Sequence, residues 1–426
     1  MERTTRKESF YPWLVVIATI SMCICASLFG GSFAISLSCV RNELALTGAQ
    51  TSVFTTIRSF TAFAIVLVFD QWFGKLGIRK GVTLGLISGV IGMALFSIAG
   101  TNLMIYNIGA VFGGVCYGLC LMAAASIIVK KWFNKSRGLV LGFCSASTGI
   151  CNFIFSPIIQ SVALKANCSA AFLIQTIVIA VIAVFCFIIL REDPADIGIE
   201  PYGGLNYDPS QDSKKKAAKP KVEYKTFLGA GSIWVYSAII VVLGMAAVPS
   251  QTYIPTCLNT TGFDPMAIAW GASVSGIVMV FSKTAFGICA DKFGAKWTTL
   301  VFSMIIGVGC FLTLFSLGFV SLPAFTPYLV YVCFGIGGAA CTMGYTLFAL
   351  EWVSPADHPK TMKKFQGAYQ LGGLLASPLP GLVFDFTGSY TNWYIVSFIG
   401  YVLMSFGGVY LCNKITKMRK AAGEIQ

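Results

Sequence analysis

Twelve stretches of roughly 20 apolar residues, each long enough for a helix to cross a hydrocarbon layer, fill most of this 426-residue chain. They lie near 11–38, 48–73, 81–100, 104–129, 138–164, 168–190, 231–257, 266–290, 297–319, 326–350, 364–386 and 391–413. Runs like these leave the backbone few choices. In lipid every N–H and C=O must be satisfied within its own helix or within a closed barrel. Barrel strands alternate polar and apolar residues, and these runs do not. The pattern therefore predicts an all-α membrane protein with twelve transmembrane helices. Composition agrees: 11% of residues are charged, against about 25% in a soluble domain. The first run is too long for a signal peptide and no cleavage pattern follows it, so it is predicted to stay as a span.

The charges give orientation. Twenty-six of the 30 Lys and Arg fall on one side of the predicted layer. They lie in the N-tail (Arg3, Arg6, Lys7), the short loops at Lys75–Lys80, Lys130–Arg137, Lys292–Lys296 and Lys360–Lys364, the central polar segment and the C-tail (Lys414–Lys420). The other side carries Arg41 and Lys165. That asymmetry predicts a multi-pass protein of the cell membrane with both termini cytoplasmic. It also accounts for the net charge of +13 without a nucleic-acid partner. The lipid bilayer is the expected surrounding. Most of the 15 cysteines lie inside apolar runs and are expected to act as small core residues. Cys39, Cys168 and Cys257 are placed near the outer face, and no disulfide among them is expected. Asn167-Cys168-Ser169 and Asn259-Thr260-Thr261 fit a glycosylation pattern on that side.

One long polar segment, Arg191–Lys225, contains Pro194, Pro201, Pro209, Pro220 and the run Lys214-Lys215-Lys216. Such composition is that of a linker. It predicts an N-terminal six-helix bundle over 1–190, a cytoplasmic linker over 191–226 and a C-terminal six-helix bundle over 227–426. The halves echo each other. Lys75-x-Gly77-x-Arg79 follows the second run and Lys292-x-Gly294-x-Lys296 follows the eighth. Ser156-Pro157 in the fifth run matches Ser377-Pro378 in the eleventh, and Tyr117 in the fourth matches Tyr345 in the tenth. Repeated halves with a site near the midplane are a transporter architecture. Pro157, Pro378 and Pro380 are expected to bend their helices.

Gly287-x-x-x-Asp291-Lys292-x-Gly294-x-Lys296 matches the cytoplasmic loop signature of the major facilitator superfamily, which the chain resembles along essentially its whole length. The first-half copy departs from that signature, with Gly74 where an Asp is usual. A narrower resemblance is to the oxalate–formate antiporter and monocarboxylate transporter families. It rests on Lys131-Trp132-Phe133-Asn134-Lys135-Ser136-Arg137-Gly138, Asp196-Ile197-Gly198-Ile199-Glu200-Pro201-Tyr202-Gly203 and Asp385-Phe386-Thr387-Gly388-Ser389-Tyr390. The resemblance implies two pseudo-symmetric bundles that rock by alternating access. It also implies that the cytoplasmic loops hold that side shut by charge pairing, through Asp291, Lys292 and Lys296 and their first-half counterparts Lys75, Arg79 and Arg137.

Two cations fall inside spans. Lys283 stands eight residues before Asp291, about 12 Å along a helix and so near the midplane of a ~30 Å layer. Arg58 stands twelve residues before Asp70, about 18 Å away. In the resembling families an Arg occupies the Lys283 position and binds the substrate carboxylate. Lysine offers a point charge in place of a bidentate fork. Of the 17 acids, those nearest the spans are Asp70, Asp291, Glu351 and Asp385, all at span ends. An interior with two cations and acids only at its edges favours an anionic guest. Tyr117, Tyr345, Tyr369, Gln370, Asn152 and Trp270 are polar or amphipathic groups in spans and complete the candidate substrate-binding set.

The expected function is secondary transport of a small organic anion, a mono- or dicarboxylate, by an anion exchanger, and the resemblance implies a monomeric carrier. The monocarboxylate carriers place an Asp four residues before the helix-8 cation, where this chain has Met279, and the lone His358 is predicted in a loop. That favours exchange or uniport of an anion over proton symport. A proton-coupled organic anion symporter, including for larger amphipathic anions such as bile acids, and an anion-binding receptor of the same fold are the alternatives. No cofactor, metal site or enzymatic motif is expected: there is no P-loop, Gly-x-Ser-x-Gly elbow or zinc-spaced Cys/His set.

Overall fold

The computed structural model describes residues 10–204, 230–316, 323–352 and 358–421. The described chain is helical: α1 (Tyr11–Leu28), α2 (Phe33–Leu44), α3 (Gly48–Ile98), α4 (Leu103–Leu119), α5 (Met122–Trp132), α6 (Arg137–Lys165), α7 (Cys168–Ile189), α8 (Ala230–Thr260), α9 (Pro265–Ser316), α10 (Thr326–Trp352), α11 (His358–Ala376), α12 (Leu379–Thr387) and α13 (Thr391–Ala421). Among the described residues, 11 helices are long and apolar enough to cross a membrane. The side chains of Asp70, Asp291, Glu351 and His358 lie outside the description, as do residues Pro209, Lys214–Lys216 and Pro220.

Local chemistry sets where helices start. Thr47 and Gln50 form a reciprocal cap ahead of α3, with Gln50 N donating to Thr47 Oγ1 (3.2 Å) and Thr47 N to Gln50 Oε1 (3.0 Å). Asn102 accepts from Met104 N (3.0 Å) at α4, and Asp264 from Ala267 N (3.1 Å) at α9.

The internal repeat is a repeated bend. α3 and α9 each carry two predicted spans, and each turns at one glycine: Gly77 (φ 75°, ψ 177°) and Gly294 (φ 83°, ψ 158°). These are the central glycines of the two Lys-x-Gly-x-basic motifs. A side chain at such φ would be strained, which explains the residue type.

Three predicted spans are interrupted. The eleventh, read as one run over 364–386, is split between α11 and α12 at Ser377–Pro378. Proline there has no N–H to give the preceding turn and its ring crowds it. The first run breaks at Phe29–Ser32 and continues to Leu44, and the fourth breaks at Cys120–Leu121. Pro157, by contrast, lies inside an uninterrupted α6.

The chain divides into two compact units. The first comprises 1–30, 60–151 and 169–221. In it α1 packs on α4 and α5, Tyr11 stacks on the fully buried Trp132 (5.6 Å, 29°), and Tyr11 Oη donates to the Ile189 carbonyl (2.6 Å). The start of the polar segment is built onto this unit. Tyr202 N donates to Trp132 O (2.9 Å), Asn134 N donates to Tyr202 O (2.9 Å), and the Tyr202 ring lies against Trp13 and Phe133. The second unit comprises 31–59, 152–168 and 222–426. In it α9 packs on α10, α8 on α11, α2 on α8, and α13 on both α8 and α9. Phe286, Phe302, Ala339 and Ala340 form one of its apolar clusters.

Candidate functional site

Both in-span cations belong to the second unit. Lys283 is half-buried on α9. One turn earlier on the same face is Met279. Its terminal methyl lies 3.6 Å, and the Gln251 Nε2 of α8 lies 3.7 Å, from the point a Cβ would occupy on Gly338 of α10. Three helices thus meet at Gly338, and the Met279–Lys283 face of α9 is the one turned toward that meeting. Ser282 Oγ donates to the Ile336 carbonyl (2.6 Å) and fixes α9 on α10 beside it.

Tyr345 is seven residues beyond Gly338, so it shares that face of α10. It is buried and stacks on Tyr369 of α11, with centroids 5.6 Å apart and planes at 30°. Tyr369 is placed by backbone contact. A Cβ at Gly244 of α8 would overlap the Tyr369 carbonyl, and one at Gly372 of α11 would overlap the Val241 carbonyl. Only glycine lets α8 and α11 approach this closely.

Arg58 lies on α3 and is 7% exposed. Its Nη2 donates to Ser59 Oγ (3.4 Å), and its Cζ is 5.5 Å from the Phe33 ring centroid. Ser59 Oγ is also 3.5 Å from Ser377 Oγ, at the α11–α12 break. Ser377 is eight residues past Tyr369, about 12 Å along a helix. One helix, α11, therefore reaches Ser59, the neighbour of Arg58, at its end and carries Tyr369 against Tyr345 two turns earlier.

The other candidates are spread more widely. Gln370 is exposed on α11. Asn152 Oδ1 accepts from Ser32 Oγ (3.2 Å), and its amide fills the space above Gly31, so it secures the α1–α2 break. Tyr117 lies in the first unit, with Cε2 at 3.0 Å from where a Gly30 Cβ would stand. Trp270 is 47% exposed and shares one stripe of α9 with the exposed Ile277, Phe281 and Ile288, all within about 20° around the helix. Lys283 is about 140° around from Trp270. Gln251 and Gly338 were not legible as site neighbours; a single polar or small residue in an apolar run gives no signal of what it faces.

At the basic end three of the six predicted gating residues, Arg79, Arg137 and Lys296, bond within their own units. In the first, Arg79 Nε donates to Phe187 O (2.9 Å) with its guanidinium 4.2 Å over the Phe187 ring. Arg137 bonds to the Phe133 carbonyl and to Asn134 Oδ1 (2.8 Å), and Lys75 is exposed. In the second, Lys296 Nζ donates to Asn413 Oδ1 (2.7 Å) and Lys292 is exposed.

A carboxylate does reach the Gly77 bend, from a residue the motif did not contain. Glu192 accepts from Ile78 N (2.7 Å) and Arg79 N (2.9 Å). Two backbone donors at a helix start favour a negative charge. Next to it Lys131 pairs with Asp193 (3.3 Å). Glu192→Gln is expected to lower the stability of the detergent-solubilised protein by about 1 kcal/mol, read as a fall in thermal-unfolding midpoint. An unchanged midpoint would show that the bend holds without this cap.

Comparison with known proteins places these features. The Major Facilitator Superfamily model matches residues 17–261 and 250–424. Monocarboxylate transporter 13 of Rattus norvegicus is 24% identical over 340 residues, covering 79% of this chain and 73% of that protein. Monocarboxylate transporter 12 of Homo sapiens is 22% identical over 449 residues, covering 98% and 83%. Among solved structures, a POT family transporter in complex with 5-aminolevulinic acid aligns with TM-score 0.70 at 14% identity, over 95% of this chain and 96% of that one. The inward open xylose transporter XylE from E. coli aligns with TM-score 0.68 at 12% identity, over 93% and 94%. At such identity the structures speak for the fold alone, and it is the predicted one. On the family match, which spans nearly all of the sequence, the chain belongs to the Major Facilitator Superfamily of transporters.

Proposed function

We propose that this transporter moves a small organic anion, a mono- or dicarboxylate, by alternating access, and that it does so by exchange. The observation that carries this reading is the burial of a guanidinium, Arg58, and the half-burial of Lys283, one turn past Met279 on α9, both in apolar spans of one unit. A cation held in such surroundings costs several kcal/mol in lost hydration. A bound carboxylate offsets that cost through charge-assisted hydrogen bonds. The names of the monocarboxylate transporter relatives agree with this substrate class.

In this reading Lys283 is the carboxylate anchor and Arg58 the second positive pole. The Tyr345–Tyr369 pair forms an aromatic wall on the α10 face that carries Gly338, and Gln251 is the polar group beside Gly338. Trp270 faces lipid with its apolar stripe. The halves 1–190 and 227–426 are the rocking bodies, with both termini cytoplasmic. Reorienting an empty cationic site moves net positive charge through a low-dielectric barrier, and carboxylate lowers that charge. Influx and efflux are thereby coupled.

Counterflow in proteoliposomes tests it with a panel of radiolabelled acetate, lactate, oxalate and succinate. Uptake of at least one is expected to need an anion of the same class inside the vesicle. Full-rate uptake into empty vesicles would count against exchange. Acceleration by an inward proton gradient would replace exchange with symport.

A further inference from the structure

Within the second unit, the end that carries the α2–α3 and α12–α13 turns is held together by residues from both sequence halves. Arg41, in the last turn of α2, is 8% exposed. Its Nη1 donates to the Tyr390 hydroxyl, and its Cζ lies 4.4 Å from the Phe384 ring centroid and 5.6 Å from that of Tyr390. Tyr390 is fully buried, 4.7 Å from Phe384 and 6.0 Å from Tyr253 of α8. Beside this cage, the Asp385 carboxylate accepts from Gly48 N (2.7 Å) and Ala49 N (2.6 Å) at the start of α3. Gly48 and Gly381 touch backbone to backbone, and a Cβ on either would overlap the other's carbonyl. Asn259 Nδ2 of α8 donates to Ser38 Oγ of α2 (2.6 Å).

We propose that this cluster is the gate that closes that end of the transport path, with Arg41 as its latch on Phe384 and Tyr390, and Asp385 as the clasp on the start of α3. The gate residues differ from the predicted gating set, all of which lies at the basic end. Sequence had flagged Asp385–Tyr390 only as a resemblance motif. Here its acid caps α3, its tyrosine receives Arg41, and Gly388 (φ 70°) makes the turn that brings the two together. The chemistry suits a reversible closure. A purely apolar seam gains nothing on opening. A guanidinium loses hydration when caged and regains it when released, so the closed and open states stay close in free energy. Its planar, weakly hydrated head also stacks on rings where a lysine would not. The inference rests on alternating access by this family's fold and not on the anion reading.

Thiol labelling tests it without any substrate. Cys257 of α8 is fully buried near this end, while Cys116 and Cys186 are fully buried in the first unit and serve as internal references. The full chain in lipid nanodiscs is treated with a membrane-impermeant maleimide, and each cysteine is read by peptide mass spectrometry. Arg41→Gln and Gly381→Ala are expected to speed Cys257 labelling by at least ~tenfold, with a smaller rise for Tyr390→Phe, through loss of the charge-assisted bond, ring stacking and close approach. Cys116 and Cys186 stay protected. Wild-type Cys257 rates in all three variants would overturn the proposal, as would a rise in step with Cys116 and Cys186, which marks a loosened fold and not an opened gate. Since no ligand enters the assay, its failure leaves the anion reading standing, and failure of the anion reading leaves the gate standing.

Discussion

Lys283→Ala is expected to abolish the thermal stabilisation that the transported carboxylate confers on the purified protein, and to stop its counterflow. Truncating one partner of a desolvated charge pair costs about 2–5 kcal/mol, which is at least ~30-fold in affinity. A ligand present at 100 times its dissociation constant stabilises by about 2.7 kcal/mol, so most or all of that shift disappears. The side chain is half-buried on α9, and removing it is not expected to unfold the protein. Lys283→Arg keeps the charge and offers a fork in place of a point, and is expected to retain binding with altered selectivity among mono- and dicarboxylates. Retained stabilisation in Lys283→Ala would remove this residue from the site.

The second large effect concerns the helix contact that carries Tyr369. Gly372→Ala is expected to cost about 1–3 kcal/mol, because a methyl group there meets a backbone carbonyl that cannot move aside as a side chain can. The α11 backbone must shift from α8, and the Tyr345–Tyr369 stack shifts with it, so transport falls together with stability. Gly367→Ala on the same helix is the control. A Cβ there meets nothing within 4 Å, and the change is expected to be neutral or to stabilise by about 0.5–1 kcal/mol through helix propensity. Equal losses in both would assign the effect to glycine content and not to the α8–α11 contact. Unfolding midpoints of the two variants, measured side by side, decide this.

Much of the architecture could be read from apolar run length and charge sidedness, because lipid forces a backbone choice that water does not. The repeat was legible for a sharper reason: Gly77 and Gly294 recur because the same positive-φ bend recurs. The break at Ser377–Pro378 was signalled by its proline, yet Pro157 in the matching position leaves α6 continuous. Proline marks where a helix can yield, and tertiary packing decides whether it does. The break at Phe29–Ser32 is packed by side chains distant in sequence, Tyr117 against Gly30 and Asn152 against Gly31. No local pattern reports those.

At the site, the in-span cations stood out because charge is rare in an apolar run. Their neighbours did not. Gln251 and Ser377 look like ordinary polar interruptions until the fold shows what they face. Arg41 stands in the sequence only as one of two basic residues on the sparsely charged side, and it is buried against Phe384 and Tyr390. Glu192 was counted among linker acids and instead caps the Gly77 bend. Both cases share a cause. A charge at a helix end has the same sequence signature whether solvent or a partner from the far end of the chain satisfies it.

The central claim is that the guest is recognised by its negative charge. The most direct test compares a carboxylate with its neutral amide of nearly equal shape, lactate with lactamide and oxalate with oxamide, in thermal stabilisation and counterflow by the wild-type protein. The account predicts that at least one carboxylate of these pairs stabilises and exchanges while its amide does neither. An amide that stabilises and exchanges as well as its acid would contradict the claim.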